Sequence, residues 1–92
     1  MKYEVKFTGR FKKDVKTVSR QGKNLEKLYD VIEKLANDIE LEPKHRDHNL
    51  TGNYEGFREC HIEPDWLLIY KKSADEIILY LVRTGSHSDL FN

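Results

Sequence analysis

The chain reads as a two-layer α+β domain in the order β-α-α-β-β-β, with a short C-terminal turn or helix. Three observations lead there. An alternating stretch opens the sequence, two segments with helical apolar spacing follow it, and three short apolar runs bounded by turn residues close it. Alternation marks a half-buried strand and three-and-four spacing marks an amphipathic helix. The helical stripes need a sheet to cover, which gives two layers.

In the first element, Lys2 to Phe7, Tyr3, Val5 and Phe7 face one way and Lys2, Glu4 and Lys6 the other. Thr8 is placed to cap the helix that follows, where Phe11, Val15 and Val18 form a narrow stripe. Gly22 ends that helix and Asn24 caps the next. There Leu25, Leu28, Ile32, Leu35 and Ile39 predict a helix through about Glu40. The pair should form an antiparallel helical hairpin.

Regularity lapses from Leu41 to Tyr54, a loop rich in titrating and hydrogen-bonding groups. Gly56 to Ile62 and Trp66 to Tyr70 then read as strands folded into a hairpin by Glu63-Pro64-Asp65. After a turn at Ser73-Ala74-Asp75, Glu76 to Thr84 is the last strand. Ser86 to Asn92 is a tail with room for one helical turn. The opening strand is expected against the last strand or an outer one.

Ninety-two residues suit one domain, taken as 1–92, with a modest core. No run is long enough to span a bilayer and no apolar leader opens the chain, so a soluble cytoplasmic protein with no membrane partner is expected. The single cysteine, Cys60, rules out an internal disulfide framework and suits the core as a small hydrophobe. Net charge is formally zero but unevenly spread. Residues 1–23 hold eight Lys/Arg against Glu4 and Asp14, a balance of +6, and the remainder balances at −6. That asymmetry suits one face to phosphate, although a solvated helix face would look the same.

The chemistry centres on His48 in the loop, His61 at a strand end, Asp65 at the start of the next strand and His87 in the tail. Two histidines on either side of a phosphodiester suit general acid–base cleavage of RNA. One takes the 2′-hydroxyl proton and the other protonates the leaving 5′-oxygen. No metal is required, because the nucleophile lies within the substrate. A carboxylate such as Asp65 would fix a histidine tautomer, and Arg83 would offset charge on the transition state. Phe91, an aromatic residue in a polar tail, is suited to stack on a base. A single histidine taken alone is more often a surface or packing residue than a catalyst, and Asp65 beside Pro64 also fits a turn-former. Three histidines and an aspartate would also serve zinc, but HxxxH and CxxC spacings are absent, so neither metal nor cofactor is expected.

These residues carry a resemblance. Asp47-His48-Asn49-Leu50-Thr51-Gly52, Gly56-Phe57-Arg58, His61, Glu63-Pro64-Asp65-Trp66, Leu68-Ile69-Tyr70 and Arg83-Thr84-Gly85-Ser86-His87 with Leu90-Phe91 resemble the YafQ branch of the RelE/ParE toxin superfamily. The resemblance covers nearly the whole chain. It implies a ribosome-dependent endoribonuclease toxin of a type II toxin–antitoxin system, which cuts translated mRNA and is silenced by a cognate antitoxin. The toxin itself would be monomeric until it enters that complex. By position, His48, His61, Asp65 and His87 match the family's catalytic residues, and Arg83 and Phe91 match supporting ones. His48 is assigned as general base, His87 as general acid, Asp65 with His61 as the orienting pair, and Arg83 as phosphate contact. The basic first helix, with Arg10, Lys12, Lys13, Lys16 and Arg20, would meet ribosomal RNA. The rival readings are a gyrase-inhibiting ParE-like toxin, whose relatives lack this histidine set, and a non-enzymatic RNA- or protein-binding module. New 5′ ends in translated messages, altered DNA topology, or neither would separate the three.

Overall fold

A computed structural model describes residues 2–91; Met1, and Asn92 at the end of the expected tail, lie outside the described residues. The elements are β1 (Glu4–Phe7), α1 (Gly9–Arg20), α2 (Leu25–Ala36), β2 (His48–Asn49), β3 (Arg58–Glu63), β4 (Trp66–Ser73), β5 (Ile78–Gly85) and α3 (His87–Phe91), with single 3-10 turns at Pro43–His45 and Gly52–Tyr54. The α+β order is as expected. The strands form one sheet in the order β1-β5-β4-β3-β2. β1 lies parallel to β5, the last strand, while β2 through β5 pair antiparallel. β2 is an addition, since Asn49 and His48 pair with Arg58 and Glu59 inside the stretch expected to be irregular. Two residues are too few to show periodicity.

Both helices start and stop for visible reasons. The Thr8 hydroxyl accepts the Phe11 amide at 3.0 Å, and the Asn24 side chain accepts the Glu26 amide at 3.0 Å. α1 ends in a Schellman motif, with Lys23 N–H on the Val18 carbonyl, Gly22 N–H on the Ser19 carbonyl and Gly22 at φ 81°. α2 ends the same way. Ile39 N–H reaches the Lys34 carbonyl at 2.8 Å, Asp38 N–H reaches Leu35, and Asp38 takes the left-handed position at φ 59°. Lys2 and Lys72 both bond the Asp38 carboxylate, at 3.2 and 2.9 Å, and lower its pKa. The expected extension to Glu40 therefore fails: α2 stops at Ala36, and Ile39, counted in its stripe, is 53% exposed. Val31, off the predicted stripe, is buried instead. Phe7 also departs from its expected half-buried face, standing 54% exposed and stacked on Phe11 at 5.9 Å.

Strand alternation divides the core into two. Cys60, Ile62, Trp66, Leu68, Tyr70, Leu79 and Leu81 pack with the helices, whereas Leu67 and Ile69 face the other way against Leu90 of α3, with Leu50, Tyr54 and Phe57 beside them. Residues 66–70 of β4 are thus buried on both faces, which explains why that run is continuously apolar. Cys60 lies in the helix-side core, where burial pushes its thiol pKa up. β1 ends opposite Leu81, so β5 continues past its neighbour. There Thr8 bonds the Leu81 and Val82 carbonyls, and Asp14 of α1 accepts the Thr84 amide at 3.1 Å.

Candidate active site

Cross-strand register builds the site. His48 pairs with Glu59, Glu59 with Ile69, and His61 with Leu67, so His48, Glu59 and His61 project from the sheet face that carries α3. A register shift between His61 and Glu63 lets Pro64-Asp65 close the hairpin and brings Asp65 under the start of α3. Asp65 Oδ1 then accepts both the His87 amide, at 3.1 Å, and His87 Nδ1, at 3.0 Å. The His61 and His87 rings lie 5.9 Å apart.

The histidine tautomers follow from their partners. His48 Nδ1 lies 2.6 Å from the Arg46 carbonyl, and His61 Nδ1 lies 3.1 Å from the Pro64 carbonyl. Carbonyls only accept, so each Nδ1 carries the proton. His87 Nδ1 donates to Asp65 in the same way. All three rings therefore keep Nε2 for other work. Those of His48 and His61 both face Glu59 Oε1, at 3.5 and 3.7 Å, contacts that are attractive when an Nε2 carries a proton. Glu59 is only 4% exposed, and a buried carboxylate is costly without such partners. The His87 side chain first, and then the His87 amide, lower the Asp65 pKa. A depressed carboxylate contributes its interaction above its unfolded pKa and loses it as pH falls through the folded one. The Asp65–His87 contact should accordingly survive acidification past the ordinary aspartate value of 3.8, which an NMR titration of the Asp65 carboxyl carbon would read as a midpoint below it.

The loop that presents His48 is clamped from beneath. Alternation turns Asn49 and Arg58 to the face opposite His48. There the buried Tyr70 donates its hydroxyl proton to Asp47 at 2.5 Å, and Arg58 bonds Asn49 at 2.7 Å and Asp47 at 3.3 Å. Burial, together with Asp47, pushes the Tyr70 phenol pKa up, so it stays a donor. Tyr70→Phe should cost about 1.5–3 kcal/mol, the worth of a hydrogen bond to a charged group, read as a lower urea midpoint at unchanged slope.

Not every expected residue joins the cluster as foreseen. His48, His61, Asp65 and His87 do, with Phe91 43% exposed and its ring 6.2 Å from that of His87. Asp65 orients His87 and not His61; the short hairpin leaves His61 facing the Pro64 carbonyl and Glu59 instead. Arg83 is engaged by Asp14, through Nε at 2.7 Å and Nη2 at 3.2 Å, and Tyr54 lies close to its guanidinium. Tyr54 in turn stands edge-on to Phe91 at 5.7 Å. Arg10, Lys12, Lys13, Lys16 and Arg20 are exposed on α1, in the layer across the sheet from the histidines. Among the described residues no three His, Cys, Asp or Glu side chains gather closely enough to hold a metal ion.

Sequence reasoning missed Glu59, Tyr54 and Asp14. Only Glu59 left a signal, standing two residues before His61 and so on its face. Glu59→Gln keeps the volume and removes the charge. It should lower cleavage ~10–100-fold and change the pH–rate profile, which a merely steric role would leave alone.

Residues 3–92 match the family described as "Bacterial toxin of type II toxin-antitoxin system, YafQ". The chain is 37% identical over 89 residues to the mRNA interferase toxin YafQ of Escherichia coli K12, covering 96% of this chain and 95% of the relative. A metal-bound toxin from Helicobacter pylori superposes with a TM-score of 0.91 at 44% identity, over 97% of this chain and 99% of that one. The toxin of the E. coli DinJ–YafQ toxin–antitoxin complex superposes at 0.89 with 35% identity, over the whole of both chains.

Proposed function

The chain belongs to the YafQ family of type II toxins, and from that premise we propose that it is an endoribonuclease of the mRNA interferase kind, cutting translated mRNA on the ribosome. The observation that carries this reading is the line His48–Glu59–His61–His87–Asp65 on one sheet face, each histidine with its Nδ1 proton fixed and its Nε2 free of the backbone.

His48 Nε2 takes the proton from the ribose 2′-hydroxyl, whose oxygen attacks the adjacent phosphorus. The P–O5′ bond breaks as His87 Nε2, protonated at the outset, gives its proton to O5′. The products are a 2′,3′-cyclic phosphate and a 5′-hydroxyl. Asp65 aims His87 and favours its imidazolium form. Glu59 steadies the His61 imidazolium, which lends positive charge to the phosphorane-like transition state, and stabilises the imidazolium that His48 becomes as it takes the proton. Arg83, with Nε and Nη2 already on Asp14, has its remaining N–H groups for the phosphate, and Phe91 offers a ring for the neighbouring base. The nucleophile belongs to the substrate, so this route calls for no metal.

The toxin acts in the cytoplasm, where α1 meets ribosomal RNA through Arg10, Lys12, Lys13, Lys16 and Arg20. A cognate antitoxin silences it, as the DinJ–YafQ complex suggests for a relative. Inducing the chain in a bacterial host and mapping 5′ ends tests the reading. New 5′-hydroxyl ends confined to translated messages are expected; growth arrest with intact messages would overturn it.

A further inference from the structure

Beside His61 the structure holds a depression of about 560 Å³ lined by Lys27, Lys44, His45, Arg46 and Glu63 among others. We propose that it seats the phosphodiester next to the one being cut. This inference rests on the proposed RNA-cleaving function.

The charge balance comes first. Three permanent cations line the depression against one carboxylate, and Glu63 is already spent on Lys27 at 2.8 Å. Lys44 has only a distant, exposed contact with Glu42, at 3.9 Å. Arg46 makes no side-chain hydrogen bond or ion pair among the described residues. An unneutralised cation pair beside a nucleic-acid site is an electrostatic footprint for phosphate.

The second observation is how these cations are registered to the histidines. Arg46 sits in the left-handed region at φ 45° and ψ 46°, unusual for a side chain with a Cβ. That turn aims its carbonyl at His48 Nδ1. His45, 8% exposed, lies with Nδ1 2.6 Å from the His61 carbonyl. One dipeptide therefore ties the wall of the depression to both His48 and His61. A single strand carries a phosphate at every nucleotide, so a chain with one phosphate at the histidines must lead its neighbour past them. The depression shares His61 with the site and offers that neighbour a positive seat.

The test is an NMR titration of the full chain with a hexanucleotide 2′-O-methylated throughout, which cannot be cut. Shifts at Lys44, His45 and the Arg46 guanidinium, alongside His61 and His87, are expected. Arg46→Gln and Lys44→Gln should each weaken binding 3–10-fold and flatten the log–log salt dependence by ~0.7 per lost phosphate contact. Arg46→Lys should restore the slope, and Lys2→Gln should not alter it. Arg46 is exposed, so its replacement spares the core. Shifts confined to the histidines, unchanged slopes, or no shift at all would overturn the inference. So would shifts given by oligoglutamate and not by RNA, which would mark a seat for an acidic protein segment. Message cleavage is scored separately by 5′-end mapping, so loss of the seat and loss of the nuclease are told apart.

Discussion

His87→Ala should lower single-turnover cleavage of a ribosome-bound message by ~10²–10⁴-fold, the range lost with a general acid. The fold should survive, because the His87 side chain is 57% exposed and α3 is anchored by buried Leu90. The His87 amide keeps its bond to Asp65 in the variant, so the hairpin closure remains. The loss should therefore appear in the rate at saturating toxin and not in ribosome binding. Asp65→Asn makes the informative contrast. Its side-chain oxygen still accepts from His87, but the charge that favours the imidazolium is gone, and a smaller loss of ~10–100-fold is expected. A His87→Ala variant within threefold of the parent would remove the acid from the scheme.

The largest stability effect is expected at Trp66. It is fully buried in the helix-side core and its indole N–H donates to the Thr84 hydroxyl at 2.9 Å. That hydroxyl donates onward to the Leu67 carbonyl at 2.7 Å, and the Thr84 amide is held by Asp14. Truncation to alanine would open a cavity and strip the Thr84 hydroxyl of its donor. Losses of about 3–5 kcal/mol are usual for such a change, a large share of the 5–15 kcal/mol that holds a domain of this size together. Urea unfolding followed by circular dichroism, which does not need the lost indole, should show the midpoint fall accordingly. Trp66→Phe, which keeps most of the volume, should cost clearly less. Equal costs for the two would mean that the hydrogen-bonded chain through Thr84, and not packing, dominates.

Much of this was legible in the residues. Thr8, Gly22 and Asn24 mark helix ends by side-chain and backbone chemistry that acts locally, so they could be read without the fold. The Glu63-Pro64-Asp65 turn and the uninterrupted Trp66–Tyr70 run fixed the central hairpin for the same reason. What escaped depended on the partner. Asp38 ends α2 early because Lys2, just before β1, and Lys72 of β4 hold it in the left-handed position. Which carboxylate serves which histidine is decided by strand register, and one shifted residue between His61 and Glu63 sends Asp65 to His87 and leaves Glu59 for His61. Arg83 looked free in the sequence. Asp14 lies 69 positions away and meets it only because β1 stops short of the end of β5.

The claim on which the whole account turns is that the substrate's own 2′-hydroxyl is the nucleophile and that no histidine attacks the phosphorus. A synthetic message with one 2′-deoxy sugar at the cleaved position, loaded on ribosomes with the toxin, tests it. The account predicts no cut at that position, normal cutting of the all-ribose message, and a 2′,3′-cyclic phosphate on the product. Cleavage of the deoxy-substituted message at a comparable rate would contradict it.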